Sequence, residues 1–296
     1  MDNSNDIVIE LNHVTKFFGS NVAMDDVSYK VPRGSVFALL GENGAGKTTT
    51  IRILLGLCEP DTGSSYVLGM NSSKNDLKIR QSVGYVPEQP ILYDWMTVEE
   101  IGRFTAAFYP IVFMKRYFEL IDEYELRRSA TVKSLSKGMR AKVSLALALS
   151  HDPELLILDE PTSGLDALVR REFMESMVDR AATGRTVFLS SHQIAEVERV
   201  ADTVAIMKKS KLLLVETVEA LKTTSCVVTV TLTEDAPLEA PMGTLVEERA
   251  SGRERRFLGH DLWSSAEAKL KENPNVARFE IRTPSLEEIF ISYMSK

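Results

Sequence analysis

Eight consecutive residues, Gly41-Glu-Asn-Gly-Ala-Gly-Lys-Thr48, satisfy the spacing G-x-x-x-x-G-K-[ST], which suits the binding of nucleotide phosphates. Gly41, Gly44 and Gly46 let the backbone turn tightly enough for consecutive N–H groups to point at phosphate oxygens, and a following helix adds its positive N-terminus. Lys47 is placed to reach the β- and γ-phosphates, and the Thr48 hydroxyl to ligate Mg2+. Glu42, Asn43, Ala45 and Thr49 complete the candidate ATP-binding stretch. The competing reading, a glycine-rich turn that binds nothing, requires a chance match expected roughly once in a hundred chains of this length.

A second candidate lies at Leu155-Leu-Ile-Leu-Asp-Glu160, an apolar run ending in two carboxylates. Asp159 can hold Mg2+ directly or through water, and Glu160 can polarise an attacking water as general base. Taken alone, such a pair is an ordinary surface loop. In the same chain as the phosphate loop, the metal and base roles take precedence.

Both groups need elements that bring them to one place. The run Val36–Leu40 precedes the phosphate loop as a strand, and Ile51, Ile53, Leu54 and Leu55 mark a helix behind it. Further strands are expected at Ser82–Val86, Leu155–Leu158, Thr186–Leu189 and Thr203–Met207. Short strand-like runs alternate with helical ones from Ile7 to about Val215, the arrangement of a parallel sheet with crossover helices. Parallel strands share their carboxyl ends, so the loop after Leu40 and the acids after Leu158 would meet at one sheet edge. From Thr97 the reading is helical. Thr97-Val-Glu-Glu100 is a capping box, with Val98, Ile101, Phe104, Thr105 and Phe108 on one face until Pro110 ends the run. After about Glu216 the texture changes. Val228, Val230 and Leu232 alternate with threonines, and Ala277, Phe279 and Ile281 with charged residues, as in half-buried strands. Two helices accompany them, capped at Ser264 and Ser285, the second carrying Leu286, Ile289, Phe290 and Tyr293 inward.

The 296 residues carry 44% hydrophobic and 26% charged side chains, enough for a substantial core. A net charge of −7 disfavours wholesale coating of nucleic acid. The longest apolar stretches fall short of the ~18 to 20 residues that cross a bilayer. The acidic N-terminus has no secretory-signal character, and Cys58 and Cys226 stand far apart, which together point to a reducing cytosol.

Three further segments carry a resemblance. Leu135-Ser-Lys-Gly-Met139 stands before the acidic strand, Ser163-Gly-Leu-Asp166 after it, and His192 follows the strand Thr186–Leu189. In this order, with GENGAGKT, LLILDEP and a C-terminal SLEEIF, the chain resembles the ATP-binding subunits of ATP-binding cassette (ABC) transporters, and within them the branch serving ABC-2 type exporters. The resemblance implies an α/β fold with a P-loop NTPase core in residues 1–215, a helical subdomain at about 97–150, and an α+β appendage in 216–296. It implies ATP and Mg2+ as ligands and hydrolysis of ATP. The implied partners are an integral membrane permease subunit and a second copy or a homologous ATPase subunit, with no nucleic acid, and the implied place is the inner face of the cell membrane. Ser136 and Gly138 would contact the γ-phosphate held by the other subunit, and Asp166 would lie at the subunit junction. His192 would contact the γ-phosphate and orient the water. Phe18 matches the aromatic that stacks on adenine, with Phe17 as its competitor. The apolar loop Ile91–Met96 and the helical subdomain are expected to dock the permease, the alternative being ordinary packing.

Two departures stand out. The family signature usually reads LSGGQ, whereas Lys137 and Met139 stand here; Lys137 either adds charge near the nucleotide or is solvated. Counting back from Thr97-Val98 puts Glu88, not Gln89, where the family has a metal-linked glutamine; a carboxylate can still ligate Mg2+ but lacks the amide donor. Two other readings remain at this stage: a non-transport cassette ATPase acting on ribosomes or DNA, and a nucleotide-sensing module whose appendage binds a regulator.

Overall fold

The computed structural model describes residues 6–109, 111–235, 237–238, 244–260 and 263–295. The chain forms two compact units, one running to Val215 and one from Glu216, a boundary that falls within the last strand of the first, Lys211–Thr217. The first contains, in order, β1 (Ile7–Phe18), β2 (Asn21–Pro32), β3 (Val36–Gly41), α1 (Lys47–Leu54), β4 (Thr62–Val67), β5 (Met70–Asn71), α2 (Asp76–Ser82), β6 (Val83–Val86), α3 (Val98–Ala106), α4 (Phe113–Glu123), α5 (Lys137–Leu149), β7 (Leu155–Asp159), α6 (Ala167–Ala182), β8 (Thr186–Ser191), α7 (Ile194–Val197), β9 (Thr203–Lys208) and β10 (Lys211–Thr217).

The central sheet has the order β10-β9-β3-β8-β7-β6. Strands β3, β7 and β8 are buried along their whole length, as strands sandwiched between layers must be, and the apolar runs Val36–Leu40, Leu155–Leu158 and Val187–Leu189 within them follow from that. The pairs β3–β8, β3–β9, β7–β8 and β6–β7 are parallel. Leu39, Ser190 and Asp159 stand level in register, so the segments that follow them leave the sheet at one edge. Phe37 and Phe188 stack at 5.7 Å beneath that edge, with Tyr29 5.3 Å from Phe37.

The sequence pattern does not anticipate the second sheet, β2-β1-β4-β5, whose paired strands are antiparallel. Two residues, Gly19 and Ser20, join β1 to β2, too few for a crossover, so the pair must be a hairpin. Its alternation is interrupted by register shifts near His13 and Asp26, both at positive φ (50° and 53°), and these bulges erase the period of two.

The α3 cap forms as its sequence predicts. Thr97 Oγ1 accepts from Glu100 N (3.1 Å) while Thr97 N donates to Glu100 Oε2 (2.8 Å). Val98 and Ile101 are buried, but Phe104 is 44% exposed and Phe108 64% exposed, contrary to the inward face expected for them. The helix packs through Val98, Ile101 and Gly102, with the Tyr117 ring set against Gly102, so positions 104 and 108 fall on the margin. There they form an edge-to-face series with Tyr93, at 5.6 and 5.8 Å. The helix ends at Ala106; Pro110, its expected terminator, lies outside the described residues. No helix among the described residues is long and apolar enough to cross a membrane.

The second unit contains α8 (Val218–Thr224), β11 (Ser225–Leu232), β12 (Thr244–Ser251), β13 (Glu254–His260), α9 (Trp263–Glu272), β14 (Val276–Arg282) and α10 (Leu286–Ser295). Its antiparallel sheet has the order β12-β13-β11-β14. Cys226, Val228, Val230, Leu232 and Phe257 fill the core on one face. In β14, Phe279 and Ile281 pack against that core whereas Ala277 is exposed, because a register shift at Thr231/Leu232 hands the inward position to Val276. The α9 helix begins at Trp263, so Ser264 is within its first turn rather than capping it; that side chain lies outside the described residues. Ser285 does cap α10, accepting from Glu288 N at 3.2 Å. Three elements escape the sequence reading: α8, and the hairpin strands β12 and β13, whose charged runs Glu247–Arg249 and Glu254–Arg256 hide the alternation.

Candidate functional site

The phosphate loop leaves β3 at Gly41 and enters α1 at Lys47. Gly46 has φ 109°, and a Cβ there would lie 2.5 Å from Ala23 O, so both conformation and space demand glycine. Lys47 is buried. Its Nζ donates to Gly41 O (2.7 Å) and Glu42 O (3.3 Å) and lies 3.1 Å from Glu160 Oε1. Ala45 is buried in the turn, its N–H donating to Glu42 O at 3.1 Å.

The acidic pair stands beside this loop. Asp159 is buried at the end of β7; its Oδ1 accepts the Ser190 hydroxyl (2.6 Å) and lies 3.5 Å from Thr48 Oγ1. Ser190 Oγ in turn accepts Glu160 N at 3.1 Å. The Glu160 backbone has φ 47°, an uncommon conformation for a non-glycine residue, and its buried carboxylate lies beside Lys47. His192 Nδ1 is 2.7 Å from Glu160 Oε2, and His192 N donates to the same oxygen at 3.3 Å. Oε1 has Lys47 as counter-charge but no aligned hydrogen bond. One carboxylate oxygen is therefore held and the other is oriented but not saturated. The thread from Asp159 through Ser190 to Glu160 was missed by sequence reasoning. Its signal was the Ser190-Ser191 pair preceding His192 on β8.

A cleft of about 400 Å3 joins these groups. Its lining includes Phe18, Glu42, Asn43, Gly44, Gly46, Lys47, Thr48, Thr49, Glu88, Glu160 and His192. Phe18 lines it and Phe17 does not; Glu88 lines it and Gln89 does not. The Phe18 ring lies 5.6 Å from Lys16 Nζ, and Asp61 ties that strand end by accepting Phe17 N at 2.6 Å. Burial, with the Asp159 charge next in weight, pushes the Tyr85 phenol up to about 12, so it stays protonated near the acidic pair. Thr48 and Asp159 offer the hard oxygen donors that Mg2+ takes, one hydroxyl and one carboxylate.

Ser136, Gly138 and Asp166 do not line this cleft. Ser136 caps α5, its Oγ accepting Met139 N at 3.2 Å. Asp166 caps α6, accepting Leu168 N (3.1 Å) and Val169 N (3.0 Å). Val169 also packs against Gly138, where a Cβ would come within 3.3 Å of it, so the two caps form one surface. The Lys137 ammonium folds against Gly164, toward its own chain.

A second cleft, about 320 Å3, is lined by residues that include Leu57, Tyr85, Ile91, Leu92, Tyr109 and His151. The His151 ring stacks on Tyr109 (4.4 Å), and burial lowers its pKa, leaving it neutral at pH 7.

The chain matches the family model for the ABC transporter over residues 24–163. YbhF of Escherichia coli, described as a probable multidrug ABC transporter ATP-binding protein, is 37% identical over 226 residues, 74% of this chain and 38% of that protein. The chain thus spans well under half the length of that relative. YhaQ of Bacillus subtilis, an uncharacterized ABC transporter ATP-binding protein, is 32% identical over 296 residues, 96% of this chain and 97% of that one. The solved structure of an ATP binding subunit of an ABC transporter superposes with a TM-score of 0.68 at 32% identity, covering 73% of this chain and 92% of its own. With a P-loop edge of this geometry and a relative matched from end to end, the chain belongs to the family of ABC transporter ATP-binding proteins.

Proposed function

We propose that this chain binds ATP with Mg2+, hydrolyses it, and, paired with a second copy or a homologous ATPase subunit, powers an integral membrane permease in export from the inner face of the cell membrane. Residues 1–215 are the ATPase domain, with its helical subdomain at about 97–150, and residues 216–296 an accessory domain. The observation that carries the reading is the Lys47–Glu160–His192 arrangement beside the phosphate loop, with distances of 3.1 and 2.7 Å.

The residues divide the work. Loop N–H groups from Glu42 to Thr49 and the α1 N-terminus cradle the phosphates, and Phe18 receives the adenine. Lys47, which satisfies itself on Gly41 O, Glu42 O and Glu160 in this structure, turns to the β- and γ-phosphates. That movement releases Glu160 Oε1 to accept a proton from water, while His192 keeps Oε2 fixed. Thr48, Asp159 and Glu88 would hold Mg2+, which would supply Lewis-acid stabilisation of charge on the phosphate oxygens. Ser136 and Gly138, outside their own cleft, contact the γ-phosphate held by the partner subunit, and Asp166 lies at the subunit junction. The second cleft and the loop beside it, with Ile91 at 91% and Trp95 at 72% exposure, offer the permease an apolar seat.

Glu160→Gln tests the assignment. It should retain ATP, trap a dimer and lose on the order of 10² to 10⁴ in turnover, as expected for a lost general base. Undiminished turnover refutes it.

A further inference from the structure

One carboxylate outside the cleft connects the segment that carries the base with the segment that ends at the subunit junction. Glu196, in α7 beyond His192, accepts the Thr162 hydroxyl at Oε2 (3.0 Å) and the Arg170 guanidinium at Oε1 (2.6 Å). Arg170, in α6, spends a second N–H on Leu165 O (2.9 Å), the residue before Asp166. Thr162 is buried, two residues past Glu160, and Ser163 N closes the turn by donating to Glu160 O at 3.1 Å. The loop between Glu160 and Asp166 is therefore gripped at Thr162 by its side chain and at Leu165 by its backbone, and both grips end on Glu196.

The chemistry of the grip is specific. The Glu196 and Arg170 side chains are 18% and 30% exposed, a partly desolvated setting in which a charge-assisted hydrogen bond is stronger than a neutral one. Both Glu196 oxygens are in use, so rotating the carboxylate breaks both contacts together. Arg170 serves two acceptors with one planar fork, a task that a lysine ammonium performs poorly. The β7–β8 pairing ends at Asp159 and Ser190, after which Glu160 N still donates to Ser190 O at 3.2 Å. Beyond Pro161 these side chains continue the constraint.

We propose that Glu196 is a positioning residue for hydrolysis: with Arg170 and Thr162 it holds the Glu160–Asp166 loop rigid against the His192 turn, so that the junction residue and the general base keep one geometry. This rests on the reading above, in which Glu160 is the base and Asp166 faces the partner subunit. Glu196 touches no nucleotide and acts through the loop, so its loss affects the chemical step and spares ATP binding.

The test is steady-state ATPase kinetics and ATP-analogue binding on the purified full chain, for the wild type, Glu160→Gln, Glu196→Gln, Arg170→Ala and the Glu196→Gln/Arg170→Ala pair. Glu196→Gln should lower kcat about tenfold to hundredfold, the scale on which an ångström of misplacement acts. Its KM and analogue affinity should stay within about twofold, since the lost interaction is expressed only in the transition state. The double variant should be no worse than the worse single one, because both remove the same tie. If Glu196→Gln does not fold, Arg170→Lys takes its place, with an intermediate loss of kcat. Wild-type kcat in Glu196→Gln or Arg170→Lys, a parallel rise of KM, or multiplying losses in the pair overturns the proposal while an inactive Glu160→Gln leaves the ATPase reading intact. Full activity of Glu160→Gln overturns the reading beneath it.

Discussion

Lys47 and Glu160 are both buried, and each is the other's principal counter-charge. Replacing Lys47 with Met keeps the apolar stem and removes the ammonium, leaving a buried carboxylate with His192 at 2.7 Å as its remaining partner. Breaking one side of a buried pair costs about 3 to 5 kcal/mol, and the retained His192 contact places this case near the lower bound, about 3 kcal/mol. For a unit of this size that corresponds to a fall in Tm of roughly 6 to 12 °C. The same principle makes the rescue specific. Lys47→Met combined with Glu160→Gln removes both charges, so it should recover most of the loss although it is doubly crippled for hydrolysis. The assay is thermal and urea unfolding of both variants at neutral pH without nucleotide. A double variant no more stable than Lys47→Met, or a single variant as stable as the wild type, refutes the claim that this pair is a compensated buried charge.

Two other perturbations follow from the geometry. Gly46→Ala forces a Cβ to 2.5 Å from Ala23 O at φ 109°, so it should destabilise the first unit by about 2 to 3 kcal/mol and abolish binding of an ATP analogue; unchanged binding by calorimetry counts against the loop assignment. In the second unit, the Arg282 hydrogen bond, helped by the Ser285 N–H and opposed by burial, holds Glu288 to about 2, below its usual 4.5. A depressed carboxyl stabilises the fold above the ordinary pKa and loses that contribution as pH falls from about 4.5 toward 2; after solvent screening it amounts to about 1 kcal/mol. Arg282→Ala should therefore be less stable than the wild type at pH 7 and converge with it near pH 2, and a gap that does not change with pH in urea titrations excludes the linkage.

The parts of the molecule legible from sequence are those in which a single physical demand is repeated locally. Gly46 needs both space and a positive φ, and the buried strands β3, β7 and β8 need apolar residues on both faces, so composition alone reveals them. Thr97 and Ser285 satisfy the first N–H groups of their helices through partners three residues away, within the reach of a motif. The β1–β2 hairpin is different. Its bulges at His13 and Asp26 are set by pairing with another strand, and no window on one strand contains that information. The same holds for Ser190, whose value lies in standing level with Asp159 across β7 and β8, 31 residues away in sequence.

Phe104 and Phe108 show how an error of periodicity can still inform. Their helical spacing placed them on the face with Val98 and Ile101, and a stripe of that kind normally marks a core. The face is narrower than the stripe because Gly102 lets α4 approach closely through Tyr117. Two aromatic rings are thereby left at the surface, continuous with Tyr93 and, through it, with Trp95 at 6.0 Å. Their exposure fits the apolar docking surface proposed above for the permease.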